Sequence, residues 1–262
     1  MKKGLRFLAA AVAVMSLAAC NDKFDTEDVF YSDSFEFGKN KAECEIEVDF
    51  PKTGNKALSN IITGWAASQI AESTGACLDN ITIPENGQEF AKTVTDSIFS
   101  SIENDFKGFE ESGFALQYSY NIDIEEEYTT GRFVTYTSEV YAYTGGAHGN
   151  STEVGAVFGL KDGRVYGWDI FKEESLPAIL ELVKDRLLKD YFEAEPGATL
   201  EDFLLDGSEI GLPVSAPYFT EDGVKFIYQN YEIAPYAAGR PSCTIPYNKL
   251  KEFFSADAKA LL

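Results

Sequence analysis

Phe114-Ala115-Leu116-Gln117-Tyr118-Ser119-Tyr120-Asn121-Ile122-Asp123-Ile124 is the stretch that decides the fold. Every second residue is large and apolar, and those between are small or polar, so period two fits throughout and helix period fails. Such a run is a strand with one buried and one wet face. Gly113 opens it and Glu125-Glu126-Glu127 follows it. Thr129-Thr130-Gly131 predicts a turn into a second strand, 132–143, rich in the Thr and Tyr that half-buried sheet positions favour. A third strand, 151–160, carries Val154, Ala156, Phe158 and Leu160 on one face and ends at the Asp162-Gly163 turn. Short links between successive strands predict an antiparallel meander.

Upstream, Glu43–Phe50 alternates Cys44, Ile46, Val48 and Phe50 with Glu45, Glu47 and Asp49, which predicts another half-buried strand. Pro51 and Thr53-Gly54-Asn55 end it. Residues 56–72 predict a helix with Leu58, Ile61, Ile62, Trp65 and Ile70 on one side, stopped at Thr74-Gly75. A second helix covers 88–110, where Phe90, Val94, Ile98, Ile102, Phe106 and Phe109 make one stripe. Downstream, Ser175 reads as an N-cap with Pro177 in the first turn. Leu176, Ile179, Leu180, Val183, Leu187, Leu188, Tyr191 and Phe192 continue that helix to Pro196-Gly197. A hairpin turns at Glu221-Asp222-Gly223, Thr244-Ile245-Pro246 is a last short strand, and a helix near 247–254 closes the chain. The expected class is α+β: an antiparallel sheet with helices packed on it, in two fused subdomains.

The first residues do not belong to that fold. Lys2, Lys3 and Arg6 precede a short apolar run that ends in Leu17-Ala18-Ala19-Cys20. This is the pattern of a secretory signal, and the run is too short to span a bilayer comfortably. Leu-Ala-Ala-Cys resembles the bacterial lipobox, which implies cleavage before Cys20 and lipid attachment to it. The expected layout is a signal peptide at 1–19, an acidic tether at 20–42, and subdomains at 43–160 and 161–262. The tether carries either an export signal or a plain solvated linker. The lipid would be the anchor at the cell envelope, most naturally at the outer membrane.

The chain of 262 residues has 43 acidic and 22 basic side chains, a formal charge of −21. Losing residues 1–19 removes three positive charges and no negative ones, taking the charge to −24. Such a surface repels nucleic-acid phosphates and anionic headgroups; it serves either solubility alone or the attraction of a cationic partner. Besides Cys20, Cys44, Cys77 and Cys243 allow one disulfide with a thiol left over, and their spacing fits no zinc motif.

Tyr143-Thr144-Gly145-Gly146-Ala147-His148-Gly149-Asn150 holds the only histidine. Three glycines in five positions predict backbone at positive φ. One histidine excludes a His-rich metal site, and no Gly-x-Ser-x-Gly elbow supports a serine triad. No metal or cofactor is expected. His148 is either a structural loop residue or the general acid or base of a hydrolase.

Taken in order, the glycine loop, Phe158-Gly159-Leu160-Lys161-Asp162-Gly163, Asp169-Ile170-Phe171, Phe219-Thr220-Glu221-Asp222-Gly223 and Tyr231-Glu232-Ile233-Ala234-Pro235-Tyr236-Ala237-Ala238-Gly239 resemble one known module. It is the extracytoplasmic RsiV-like and PdaC-associated module of lysozyme-sensing anti-sigma factors and peptidoglycan deacetylases. The resemblance covers about residues 43–254. It implies a binding module for a cationic, lysozyme-like protein or for peptidoglycan, with Tyr143, Gly145, Gly146, His148, Asn150, Tyr231, Glu232, Pro235 and Tyr236 as motif positions. The other reading is a hydrolase of envelope polymer centred on His148.

Overall fold

A computed structural model describes residues 5–8 (backbone), 24–78, 82–109, 114–205 and 210–262. Cys20 and Gly113 lie outside these residues. The fold is α+β, as expected. Its main sheet has seven strands in the order β1 (Leu5–Leu8), β2 (Thr26–Phe37), β3 (Asn40–Pro51), β4 (Gln117–Thr129), β5 (Phe133–Tyr143), β6 (Asn150–Gly159) and β7 (Val165–Tyr166). A second sheet places β9 (Val224–Ile227) between β8 (Tyr218–Phe219) and β10 (Ser242–Ile245), both pairs antiparallel. Among the described residues are five α-helices: α1 (Lys56–Thr74), α2 (Gly87–Phe109), α3 (Leu176–Arg186), α4 (Tyr247–Leu250) and α5 (Ala256–Leu261).

The structure corrects three parts of this architecture. Leu5–Leu8, expected to lie outside the fold, pair antiparallel with β2 from Leu5↔Glu36 to Leu8↔Asp33. Residues 26–37 are not tether but a twelve-residue strand, paired antiparallel with β3 from Thr26↔Pro51 to Phe37↔Asn40. Val29, Tyr31 and Phe35 are buried at period two, so the acidic composition conceals a real amphipathic strand. The meander is also not wholly antiparallel. β3 and β4 run parallel, from Lys41↔Gln117 to Val48↔Ile124. A hairpin turn cannot join parallel neighbours, and the connection here is the pair of helices α1 and α2.

The chain divides into two compact units, and not at residue 160. The first comprises Met1–Glu126 with Ser138–Thr152, the second Glu127–Thr137 with Glu153–Leu262, so β4, β5 and β6 each give residues to both.

In the first unit, the buried faces of β2 and β3 lie against α1 and α2. Asn55 caps α1 by accepting the Leu58 N–H at 3.2 Å, and Gly75 ends it in left-handed backbone. Of the expected stripe, Leu58, Ile62 and Ile70 are buried, whereas Ile61 is exposed. Along α2, Phe90, Val94, Ile98, Ile102 and Phe106 are buried and Phe109 is exposed. Phe35 stacks on both Phe99 and Phe106, with centroids 5.8 and 5.9 Å away. Buried Asn40 donates to the Phe106 carbonyl at 2.9 Å and accepts the Leu116 N–H at 2.9 Å, pinning the end of α2 to the start of β4. Phe114, expected in the strand, is 77% exposed and precedes it.

In the second unit, Ile179, Val183 and Leu187 are fully buried against a core that includes Phe226, Ile245 and Leu250. Ser175 does not cap α3 through its side chain: it ends a 3-10 turn, Glu173–Ser175, and has helical backbone itself. The helix does not reach Pro196 either. It widens to a π-turn at Leu187–Tyr191 and ends there. Phe171 is sandwiched between Phe226 and Phe254, at 6.0 and 5.4 Å and within 9° of parallel to each. Cys44, Cys77 and Cys243 are all free thiols, Cys77 exposed and the other two buried, and burial pushes the titration of Cys44 and Cys243 up to about 12.

Leu187 stands in the centre of the second core with no exposure. Leu187→Ala should cost about 2–5 kcal/mol, the range for deleting a buried leucine side chain. Chemical denaturation of the variant checks this, and an unchanged midpoint would contradict the packing described.

Candidate functional site

The alternation of β3 has an electrostatic consequence. Its apolar residues must face the helices, so Glu43, Glu45 and Glu47 all face solvent. Pairing register sets their neighbours: Ser34 and Ser119 beside Glu43, Ser32 and Asn121 beside Glu45, Phe30 and Asp123 beside Glu47, and Asp28 beside Asp49. The solvent side of the first unit's sheet is therefore a field of carboxylates. Asn121 donates to Glu45 at 3.4 Å, the Glu126 N–H donates to Asp49 at 2.9 Å, and Lys41 pairs with Glu43 at one end. Phe30 lies 43% exposed among these acids.

Burial and the surrounding Glu47, Glu125 and Glu139 push the Asp123 carboxyl up to about 6. Burial also raises Asp49, aided by Asp28 and Glu125 and opposed by its bond from the Glu126 amide. Sequence periodicity points to the acidic row of β3 but not to its alignment with β4, because that is set by a parallel pairing between segments some seventy residues apart.

The glycine loop belongs to the same unit. Gly145 and Gly146 have φ of 99° and 91°, as the sequence predicts. The Tyr143 hydroxyl donates to the Gly146 carbonyl at 3.1 Å and closes the turn. Gly149 is different: it is buried, and a Cβ there would overlap the Tyr141 ring. His148 and Asn150 are exposed, and His148 Nδ1 lies 2.8 Å from the Gly149 carbonyl oxygen. Among the described residues no group of three or more His, Cys, Asp or Glu side chains is placed to hold a metal ion.

The remaining motif residues are in the second unit. Tyr231 takes positive φ (66°) although it is not glycine. Glu232 stabilises the bend, since its two carboxylate oxygens accept the Val214 N–H at 2.8 Å and the Gln229 N–H at 2.7 Å. Pro235 precedes the 3-10 turn Tyr236–Ala238, and Tyr191 donates to the Ala238 carbonyl at 2.6 Å. Ile233 and Ala234 are buried, which leaves Tyr231 outward with its ring 5.7 Å from that of Tyr236.

Behind this loop is a polar hub that sequence reasoning missed. Glu153 accepts from Lys225 at 2.6 Å, from Tyr218 at 2.8 Å and from Arg240 at 3.3 Å. Gln229 accepts the Glu153 N–H at 3.1 Å and donates to its carbonyl at 2.7 Å and to Ser215 at 2.9 Å. Burial works against the Glu153 charge, yet Lys225, Tyr218 and Arg240 together hold its carboxyl below the usual range. Gly155 leaves room for this arrangement, because a Cβ there would overlap the Tyr218 ring. The hub fixes the Tyr231–Tyr236 loop and is structural in character.

The two carboxyl environments have opposite linkage. Folding raises Asp123 above its unfolded value of about 4. Between pH about 4 and about 6 the folded chain therefore holds protons that the unfolded chain has released, and stability falls as pH rises through that window. Asp123→Asn should stabilise the protein at pH 7 by about 0.2–1 kcal/mol, the scale of cross-strand charge pairs. The gain should vanish below pH about 4, as melting curves across that range would show.

Comparison with known proteins agrees with this fold. The sequence profile of a family described as "Protein of unknown function (DUF3298)" matches residues 168–248. A solved structure of a DUF3298 family member from Bacteroides fragilis NCTC 9343 superimposes with a TM-score of 0.68 at 23% identity, covering 89% of this chain and 94% of that one. A DUF3298 family protein from Pseudomonas aeruginosa PAO1 gives a TM-score of 0.60 at 17% identity, covering 90% and 97%. No curated protein matches the chain. Residues 168–248 thus contain a DUF3298 domain, and the chain has the fold of solved members of that family of unknown function.

Proposed function

We propose that the protein is an envelope binding module, held at the membrane by lipid on Cys20, that captures a cationic protein of the lysozyme kind on the solvent face of its first unit. The observation that carries this reading is the carboxylate field of β2, β3 and β4, with Phe30 exposed within it. Burial, and then the like charges of Glu47, Glu125 and Glu139, raise the proton affinity of Asp123. A partner that supplies lysine and arginine relieves that repulsion and leaves Phe30 to be covered by apolar surface. The resemblance to lysozyme-sensing modules points to the same partner chemistry.

Nothing in the geometry favours the hydrolase reading centred on His148. That side chain is exposed on a glycine turn, with one ring nitrogen directed to the carbonyl of its own neighbour.

Surface plasmon resonance with hen lysozyme tests the proposal. Association should slow about tenfold or more as salt rises from low to physiological levels, because the steering field is screened. The pair Glu45→Lys and Glu47→Lys should reduce it further at low salt without lowering the melting temperature. Salt-independent association, or indifference to both substitutions, would overturn the reading. Capture by purified peptidoglycan sacculi that both substitutions leave intact would replace it with the glycan alternative.

The anchor has its own test. A metabolic fatty-acid probe should label the wild-type chain and not Cys20→Ala. Equal labelling of both would remove the lipid from the account.

A further inference from the structure

The second unit contains a cavity of about 580 Å³ that neither the acidic face nor the motif loop uses. Tyr128 and Tyr247 give it an aromatic wall backed by buried Phe133, and Leu261 and Leu262 close one side. These rings are fixed. Phe133 meets Tyr128 and Phe219 edge-on at 5.5 and 5.2 Å, and the Tyr247 hydroxyl donates to the Thr220 carbonyl at 2.6 Å. Arg132 stands on the turn that borders the cavity.

That turn is rigid. Thr130 Oγ1 accepts the N–H groups of Arg132 and Phe133 at 3.1 and 3.2 Å, and the Thr130 N–H donates to the Phe133 carbonyl at 2.9 Å. The guanidinium of Arg132 is exposed and donates from Nη1 to the Ala260 carbonyl at 3.2 Å.

Three other arginines with described side chains face carboxylates. Arg164 pairs with Asp169 and Asp257, Arg186 with Asp190, and Arg240 with Glu153. Among the arginines whose side chains are described, Arg132 is the one with no carboxylate in an ion pair, in a chain with 43 acids and 22 bases. A guanidinium presents five donors in a planar fork that matches a carboxylate. An aromatic wall with one such fork at its rim is the usual composition of a small-molecule site.

We propose that this cavity binds a small carboxylate whose body is a flat apolar face, either the ring of an N-acyl amino acid or the apolar face of an acidic N-acetyl sugar. The carboxylate takes the free side of the Arg132 fork, and the ring or sugar face lies against the partly exposed rings of Tyr128 and Tyr247, which buried Phe133 supports from behind. The site is independent of the cationic-protein surface, because it uses neither those residues nor that sign of charge.

Calorimetric titration of the purified protein with two matched pairs tests this. N-acetylphenylalanine is compared with its amide, and N-acetylmuramic acid with N-acetylglucosamine, which lacks the carboxylate. At least one acid should bind at least tenfold more tightly than its neutral counterpart, and the pair that does so identifies the source. Arg132→Gln should remove that preference, and Arg132→Lys should restore part of it, since an ammonium keeps the charge but not the fork. Gly131→Phe gives a second check that does not depend on Arg132. Gly131 lines the cavity and a Cβ there meets nothing within 4 Å, so a side chain at this exposed turn should be tolerated by the fold, and a ring beside the cavity should weaken binding at an unchanged melting temperature. Failure of both acids to bind, equal binding of acid and neutral partner, or full binding by either Arg132→Gln or Gly131→Phe would each overturn the proposal.

Discussion

The parallel pairing of β3 with β4 is the constraint on which the first unit depends. Parallel neighbours need a long crossover, and α1 with α2 supplies it. The crossover must bury its own apolar stripe, and the only apolar surface that fits is the face made by Ile46, Val48, Tyr120, Ile122 and their neighbours. Once that face is covered, period two forces every intervening residue outward. The carboxylates of β3 are then aligned with Asn121 and Asp123 whether or not their mutual repulsion favours it. The acidic field is thus a by-product of core geometry, stabilised against its own repulsion by the helices behind it.

What the sequence revealed and what it concealed follow from the same physics. Local periodicity was enough for β3, α1, α2 and β4, because each carries its signal in consecutive residues. It failed at β2, where Asp33 sits at a buried strand position and acids crowd the start, so composition outweighed alternation. Ser175 has the chemistry of a cap, but the backbone is already helical there, which is a matter of the preceding 3-10 turn rather than of residue type. The positive φ of Gly145 and Gly146 was legible, whereas the reason for Gly149 was not: its neighbour is the Tyr141 ring, eight residues away across the hairpin. The Glu153 hub draws on positions 153, 218, 225, 229 and 240, and no window of sequence contains it.

The chain uses carboxylates in two contrary ways. Glu153 is half-enclosed, and two cations and a phenol hold it charged, so it acts as a fixed node for the Tyr231–Tyr236 loop. Replacing any one partner leaves a charge without compensation in a poorly solvated place, which is costly. Asp123 has no cation of its own and is surrounded by Glu47, Glu125 and Glu139, so its charge is tolerated rather than used. The first environment contributes to a unique loop conformation. The second detracts from stability near neutral pH, and such a cost is consistent with a surface kept for an external partner.

This difference bears on how the acidic face would work as a recognition surface. Exposed charges on a sheet add little to affinity in water, because each pair is well solvated before contact and screened after it. Their larger effect is on encounter rate and on the exclusion of anionic competitors. Tight retention then has to come from desolvated contacts, and on this face the exposed apolar candidate is Phe30, aligned with Glu47. The arrangement suits rapid, charge-selective capture with a single apolar anchor, and it makes the carboxylates and Phe30 separable in kinetics: the former govern association, the latter dissociation.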